Sequence, residues 1–259
     1  MDGFAVFLRK ELRESLRTNR LLVVVAIFAI FGIISPLTAK YTPELLKLLG
    51  TGNGGVTVTV PTPTVHDAIA QFIKNVAGTG ILVAVLLPMG IVAREKERGT
   101  AAFVLTKPLT RSAFLAAKLV ALSLTLVAGI AVAALATYWY TAILFTPIPA
   151  GGFIAASLLV LLSLLVYASF TFLGSTLLNS QLPAAGVGLA GWIVISILGI
   201  IPNIEQYTPA GLLDPASQLA LGLAPQHLGV SIVASVALLV VVVVLAWLGF
   251  RGQEIVSNS

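Results

Sequence analysis

The chain has 259 residues, of which 58% are hydrophobic and 10% charged, and its mean hydropathy is +1.04. This composition excludes a water-soluble globular domain with a polar surface and indicates a polytopic membrane protein. The formal charge of +5 comes from Lys and Arg residues that flank the apolar runs rather than from one basic face, which argues against nucleic acid as a partner.

Residues 1–20 are predicted to form an amphipathic helix before the first apolar run. Phe4, Phe7, Leu8 and Leu12 recur at helical spacing, and most of the basic residues fall on the opposite face. A helix with this pattern lies along the membrane interface with its basic side toward the headgroups. Either it only fixes the topology through its positive charge, or it is an elbow helix that also braces a cytoplasmic partner.

Six transmembrane helices are predicted, because a helix of about 20 apolar residues crosses the roughly 30 Å hydrocarbon core. The fourth and fifth are separated by a short polar interruption, and one bent helix is the alternative. At about 1.5 Å per residue that helix would be far too long for one crossing, which favours a hairpin. The predicted fold is an all-α membrane protein, with one transmembrane domain over 21–250 and a tail over 251–259. The predicted spans are 21–37, 76–93, 119–145, 153–178, 183–201 and 228–250.

The distribution of basic residues predicts the orientation. Of the 15 Lys and Arg residues, only Lys40, Lys47 and Lys74 fall on one side of the six-span arrangement, and the others fall on the opposite side. Because the basic side faces the cytoplasm, we expect both termini to be cytoplasmic in a multi-pass protein of the plasma membrane.

Two longer segments are predicted on the external side. Residues 38–75 suggest a short helix at 42–47, a glycine-rich turn and a strand-like stretch at 56–60. Residues 203–226 contain apolar stretches that are too short to span a membrane. Re-entrant or interfacial half-helices that cap the outer face fit this segment.

The sequence offers little for catalysis or ion coupling. No Asp, Glu, Lys, Arg or His lies between Leu119 and Ile204, although ion-coupled carriers usually place ionisable groups within their spans. His66 and His227 are isolated in external segments. The G-x-G-x-x-G match over 50–55 has no preceding strand and no following helix, so a phosphate cradle is not expected there. We expect no catalytic residue, cofactor site or metal site in this chain.

Small residues in the fifth span predict close helix packing. Ala184 with Gly188, and Gly186 with Ala190, form small-xxx-small pairs. Such pairs let helices approach closely where lipid supplies no hydrophobic driving force, and they fit either a dimer seam or packing within one chain.

Pro88 and Gly90 lie near the inner end of the second span. Proline removes a helical hydrogen bond, so these residues predict a kink and a candidate hinge directly before the most charged segment of the chain.

That segment joins the second and third spans. It begins with Arg-Glu-Lys-Glu-Arg-Gly-Thr at 94–100, continues with Leu-Thr-Lys-Pro-Leu-Thr-Arg at 105–111, and ends at Lys118. Gly99 is suited to a left-handed helix end and Pro108 to a first helical turn. We therefore expect a short helix over 100–106 that presents Phe103.

This segment resembles the first cytoplasmic loop of ATP-binding-cassette (ABC) transporter permeases of the type-2 export family. That family shows an E-x-E-x-G-T element, then a P-x-S/T-R element and a lysine at the next span. The resemblance extends in plan over the whole chain. Ala113 departs from it, since many members carry an acidic residue nearby, but Thr110 remains a candidate N-cap.

The resemblance implies a short cytoplasmic coupling helix that docks into a groove of a separate ATPase. The residues expected to serve this ATPase coupling are Glu95, Glu97, Arg98, Gly99, Thr100, Phe103, Pro108, Thr110 and Arg111. The alternative is a charged loop that only orients the second and third spans.

The implied function is the permease subunit of an ATP-driven ABC exporter. It forms the substrate pathway with a second permease copy or a homologous permease. ATP and Mg²⁺ would be bound by the partner ATPase, with two ATPase copies in the assembly. A membrane scaffold or assembly protein that recruits a cytoplasmic partner is the alternative. A secondary carrier ranks third, because intramembrane charges are missing.

Overall fold

The computed structural model describes residues 2–50, 62–99 and 110–253, and every regular element in these ranges is helical. Six of the helices are long and apolar enough to cross a membrane, which confirms the predicted all-α class with six candidate spans. The α-helices are α1 (Asp2–Arg17), α2 (Arg20–Gly50), α3 (Val65–Leu86), α4 (Ala93–Glu97), α5 (Arg111–Leu144), α6 (Ala150–Leu177), α7 (Gln181–Leu198), α8 (Leu213–Ala220) and α9 (Leu228–Arg251). The six candidate spans are α2, α3, α5, α6, α7 and α9.

Helix α2 continues well beyond the end at residue 37 that hydropathy predicts. It passes through Pro36 and Pro43 and absorbs the short helix expected at 42–47. Proline at position 36 leaves the carbonyl of Gly32 without its helical donor. The hydroxyl of Thr137 on α5 donates to that carbonyl oxygen at 2.9 Å, so the helix continues without an unsatisfied group. The strand-like stretch expected at 56–60 lies outside the described residues.

Helix α3 begins at Val65 rather than at residue 76. The backbone N–H of Thr64 donates to the Asp67 carboxylate at 2.7 Å, and this capping box fixes the helix start in a polar sequence that hydropathy does not detect. The helix ends at Leu86, and turns cover 87–92. The chain is thus broken at Pro88 rather than kinked, because Pro88 cannot donate to the carbonyl of Ala84.

Helix α6 is the centre of the bundle. It is the most buried of the six long helices and contacts α3, α5, α7, α8 and α9. Small and hydroxyl residues such as Ala156, Ser163 and Gly174 line it, which allows neighbouring helices to pack closely. Helices α7 and α9 lie at the periphery, and most of their surface is exposed apolar side chains.

The segment between α7 and α9 covers one end of the bundle. It forms two 3₁₀ turns, Glu205–Tyr207 and Pro209–Leu212, followed by α8. Leu212, Ala216 and Ala220 are fully buried. Helix α8 packs against α6 and α3, which shields these short helices at the end of the bundle opposite α1.

Candidate functional site

Most charged residues of the described ranges lie at one end of the bundle. We call this the basic end and define it as residues 2–20, 87–99, 110–118, 174–181 and 250–253. Five of the long helices begin or end within these ranges, and α3 ends directly before 87–99. The short helix α4 and the amphipathic helix α1 lie here as well.

Helix α4 is held against the end of α6 by a buried serine. The hydroxyl oxygen of Ser175, which is fully buried, accepts hydrogen bonds from the backbone N–H groups of Val92 and Ala93, both at 3.0 Å. These N–H groups have no partner within so short a helix. Ser175 therefore fixes the place where the charged segment leaves α3.

Lys96 connects α4 to the ends of α6 and α9. Its ammonium group donates to the carbonyl oxygen of Thr176 and, at 2.6 Å, to the side-chain oxygen of Gln253. The Gln253 amide in turn donates to the carbonyl oxygen of Leu177 at 3.0 Å. Burial lowers the pKa of Lys96 to about 8. The Lys96 side chain is thus mostly charged at pH 7. Hydrogen bonds join it directly to Thr176 and Gln253, and through Gln253 to Leu177.

The end of α4 projects outward. Glu97 and Arg98 are exposed, and the Gln181 amide at the start of α7 donates to the Glu97 carboxylate at 3.2 Å. Gly99 follows with φ of 68°, in the left-handed region that favours glycine, and turns the chain away from α4. Thr100, Phe103 and Pro108, together with the expected coupling helix, lie outside the described residues.

The chain returns at Thr110, which caps α5. The Thr110 hydroxyl oxygen accepts from the backbone N–H of Ala113 at 3.2 Å. Arg111 turns inward and donates to the carbonyl oxygens of Phe250, Arg251 and Gln253 at 3.4, 2.9 and 2.9 Å. A cation at these carbonyls stabilises the C-terminal end of α9.

A second ionic cluster joins α4 to α1 and α5. The ammonium group of Lys118 lies 2.8 Å from the Glu95 carboxylate and 3.2 Å from the Glu11 carboxylate. Lys10 lies 2.9 Å from both Glu11 and Glu14. Burial opposes the charge on Lys10, but its hydrogen bonds to Glu14 and Glu11 outweigh that effect and raise its pKa. Burial likewise opposes the charge on Glu14, but Lys10 prevails and lowers its pKa.

Aromatic rings pack beside this cluster. The Phe7 ring on α1 lies 5.3 Å from the Phe114 ring on α5, which stacks at 5.7 Å on the Phe250 ring of α9. Lys118 lies 5.0 Å from the centre of the Phe114 ring, and Lys96 lies 5.8 Å from that of Phe250. Cation–π contacts of this kind attract each ammonium group to the face of its ring.

The structure thus divides the residues that the sequence assigns to ATPase coupling. Glu97, Arg98 and Thr110 are exposed, whereas Glu95 and Arg111 contact other parts of the chain.

Sequence reasoning missed Glu11, Ser175 and Gln253. One signal was present for Glu11: it lies four residues after Phe7 and seven after Phe4, on the apolar face of an amphipathic helix.

The candidate hinge is in close contact with α7. A Cβ atom added to Gly90 would lie 2.7 Å from the side-chain oxygen of Gln181, so glycine allows this approach. Pro88 lies in the turns that separate α3 from α4.

The small residues of α7 face two ways. Ala184 and Gly188 are buried against α6, where a Cβ added to Gly188 would lie 2.9 Å from the Thr171 Cβ. Gly186 and Ala190 are exposed, and a Cβ added to Gly186 would have nothing within 4 Å. One pair therefore packs within the chain, and the other faces the surroundings.

The described residues contain a small polar cavity and no grouping of acidic and histidine side chains suited to a metal ion. The cavity, of about 30 Å³, is lined by Glu11, Glu14, Arg20 and Lys118 among others. This volume is enough for a water molecule rather than for a cofactor.

The bundle of long apolar helices with charged contacts at one end defines a multi-pass integral membrane protein. Residues 5–254 match the model of the family described as ABC-2 family transporter protein, so the chain belongs to that family. This match confirms the resemblance and supports a membrane transport permease role. Members are typically non-catalytic membrane subunits that generally partner with ATPase subunits.

A curated relative comes from Bacillus subtilis (strain 168), where it carries the name uncharacterized transmembrane protein YxlG. The two chains are 24% identical over 155 residues, and the match covers 60% of each. The chain thus matches less than two thirds of that relative's length, and the name assigns no substrate.

Proposed function

We propose that this chain is the permease subunit of an ATP-driven ABC exporter, and that residues 94–118 couple it to a separate ATPase subunit. Family membership supports the transport role. ATP is bound together with Mg²⁺ and hydrolysed in the partner, and this chain supplies neither a nucleotide site nor a catalytic residue. Two permeases, either two copies or one copy with a homologous permease, form the substrate pathway, and each carries one ATPase.

The outward position of Glu97 and Arg98 supports this proposal most directly. Both side chains are exposed at the end of a helix whose inner side is fastened to Ser175 and Gln253. Exposed charges on a firmly held base set the register of a docking partner. A push on this surface would pass through α4 to the ends of α6 and α9.

The basic end is cytoplasmic in this proposal, with both termini on that side of the plasma membrane. The positive-inside preference supports it. The chain has no cysteine, so single introduced cysteines report topology without background. We expect Arg98→Cys to react with a membrane-impermeant maleimide only in permeabilised cells, and Tyr207→Cys to react in intact cells. The opposite pattern would reverse the orientation.

The free face of α7 is the proposed permease–permease seam. Gly186 and Ala190 lie on that face with open space beside Gly186. Small residues of this kind permit two helices to approach closely in a membrane.

Co-purification tests the proposed function. The tagged chain is extracted from its native membranes in mild detergent, and the proteins that co-purify in stoichiometric amount are identified. We expect one ABC ATPase per permease, lost when Glu97→Ala is combined with Arg98→Ala. The matched control is Glu205→Ala, which removes an exposed acid at the opposite end and should leave the ATPase bound.

A preparation with no ATPase, from cells shown to express one, would contradict the transporter proposal. A different stoichiometric cytoplasmic protein in its place would favour the scaffold function. If the ATPase is bound equally by the double variant, docking does not use Glu97 and Arg98.

A further inference from the structure

Lys118 is the most deeply placed charge of the basic end. Its side chain is 2% exposed, and its ammonium group contacts Glu95 of α4 and Glu11 of α1 at 2.8 and 3.2 Å. The two carboxylates are themselves only 16% and 11% exposed. A buried ammonium is tolerated only when it is paired, so each carboxylate is held at its place by the same cation.

Lys118 thereby joins three elements that are distant in sequence. Glu11 belongs to α1, Lys118 to α5, and Glu95 to α4, two residues before the exposed Glu97. Lys10 strengthens the link between α1 and α4, because it lies 2.9 Å from Glu11 and 3.7 Å from Glu95.

Aromatic side chains also connect α1 to α5 beside Lys118. Phe7, on the same face of α1 as Glu11, packs on Phe114, which precedes Lys118 by one helical turn. The Phe7 and Phe114 rings lie 5.7 and 5.0 Å from the Lys118 ammonium. Aromatic packing therefore holds α1 against the start of α5, and the ion pairs of Lys118 connect α1 to α4.

The packing of Phe7 on Phe114 holds α1 against the basic end. The shared buried cation also links the movements of α4 and α1, because any displacement of Glu95 separates it from Lys118 and unbalances the Lys118–Glu11 pair. Glu95 lies on the segment that we propose to dock the ATPase. Movement of α4 cannot leave this cluster unchanged.

We propose that Lys118 and Glu11 are positioning residues that make α1 a moving part of the coupling machinery. Displacement of α4 by the ATPase is passed through Glu95 and Lys118 to Glu11, and α1 shifts along the membrane surface together with α4. This inference rests on the proposed function, but the link between α4 and α1 exists in the permease alone.

The first experiment therefore uses the purified full-length permease without a partner. Hydrogen exchange is compared between the wild-type chain and Glu95→Ala. We expect the amides of α1 to exchange at least about fivefold faster, the lower end of the range for coupled sites, although the substitution lies in α4. Glu97→Ala is the control, since Glu97 contacts Gln181 rather than Lys118, and α1 should keep its protection. Unchanged exchange in α1 of Glu95→Ala would overturn the link.

The second experiment uses the permease–ATPase complex in lipid nanodiscs. Stimulation of ATP hydrolysis by the permease is measured for Glu11→Ala and for Arg13→Ala. Both remove a charge from α1, but Glu11 is paired with Lys118, whereas Arg13 lies on the exposed face of the helix. We expect Glu11→Ala to lower stimulation at least about fivefold while the ATPase remains bound, and Arg13→Ala to retain it.

The outcomes separate the two proposals. Full stimulation in Glu11→Ala, or an equal loss in Arg13→Ala, would overturn the role of the Lys118 cluster in coupling and leave the exporter intact. A merely structural role would lower thermal stability in Glu11→Ala without lowering stimulation per bound complex. Absence of any ATPase partner would refute the exporter, and exchange in Glu95→Ala would still decide whether α1 and α4 are linked.

Discussion

The hydroxyl of Thr137 on α5 donates a hydrogen bond to the carbonyl oxygen of Gly32 on α2, with 2.9 Å between the two oxygen atoms. This carbonyl lacks its helical donor because Pro36, four residues later, has no N–H. Thr137 is fully buried, and an added Cβ at Gly32 would lie 2.6 Å from the Ala133 carbonyl oxygen. Because α2 and α5 approach closely at Gly32, the Thr137 hydroxyl on α5 reaches the Gly32 carbonyl oxygen on α2, which lacks a helical donor.

Thr137→Val should lower the free energy of unfolding by about 1 kcal/mol, because it keeps the shape but removes the donor. In a Pro36→Ala background the new N–H of residue 36 can itself bond to Gly32, so the same substitution should cost much less. A double-mutant cycle, measured by detergent denaturation, isolates this coupling. An equal cost of Thr137→Val in both backgrounds would show that the hydrogen bond does not compensate for Pro36.

The two faces of α7 predict different effects for identical substitutions. Gly188→Val should lower the stability of the single chain by roughly 1–3 kcal/mol, because the new side chain collides with Thr171 of α6. Gly186→Val, on the open face, changes helix propensity equally but meets no neighbour within 4 Å. It should leave the stability of the single chain unchanged and reduce the fraction of permease dimer.

Thermal melting and the oligomeric state in lipid nanodiscs distinguish these effects. A dimer fraction that survives Gly186→Val would place the permease seam elsewhere than on α7.

The long helices could be predicted from sequence because an apolar run of sufficient length crosses a membrane as an α-helix, which satisfies its own backbone hydrogen bonds. Hydropathy alone does not predict their ends, since the ends depend on polar contacts that it does not describe. Asp67 starts α3 through a capping box with Thr64, whereas Thr137 allows α2 to continue through Pro36. The capping box is a local signal in the sequence, but the Thr137 contact needs a partner that only the folded chain brings near.

The candidate site shows the same division. The pattern around Glu95, Glu97 and Gly99 was sufficient for the family resemblance, and the family match confirms it. Sequence reasoning treated Glu95 and Arg111 as flanks of a docking loop, but both face other parts of the chain. Which charges face inward depends on where α1 and α9 pack, and these helices are distant from α4 in the chain. The contact of Lys96 with Gln253, just after α9, joins residues that are 157 positions apart.

Lys96 should titrate far below an ordinary lysine. Burial lowers its pKa from 10.5 to about 8, whereas the pKa of Lys10 is raised. Amine acetylation at limiting reagent, followed across pH 7–10 by mass spectrometry, should show a midpoint near pH 8 at Lys96 and little labelling of Lys10. A Lys96 midpoint above pH 10 would contradict the effect of burial.

The same titration affects stability. Between pH 8 and 10.5 the unfolded chain holds the Lys96 proton and the folded chain has released it, so unfolding takes up a proton. The contribution of this group to stability is therefore present above pH 10.5 and is lost as the pH falls through 8. In Lys96→Met the stability of the chain should rise less steeply, or fall more steeply, with pH over that interval than in the wild-type chain. Identical slopes would show that the two states do not differ in protonation at this residue.

Ser175 should control the order of α4. Its hydroxyl oxygen accepts from the N–H groups of Val92 and Ala93, so Ser175→Ala leaves both without an acceptor and costs about 1–3 kcal/mol in local stability. Amide exchange at 92–99 should accelerate while the rest of α6 keeps its protection. Ser169→Ala is the matched control, because the Ser169 hydroxyl donates only to the Val166 carbonyl of its own helix at 2.6 Å.

Ser175 should also affect coupling, because it holds the start of the short helix whose last residue is the exposed Glu97. If α4 transmits force from the ATPase to α6, Ser175→Ala should reduce stimulated ATP hydrolysis more than it reduces ATPase binding, since the docking charges remain in place. Ser169→Ala should change neither quantity. Equal losses of binding and stimulation in Ser175→Ala would mean that α4 only recruits the partner, and force would then have to enter the bundle through the start of α5.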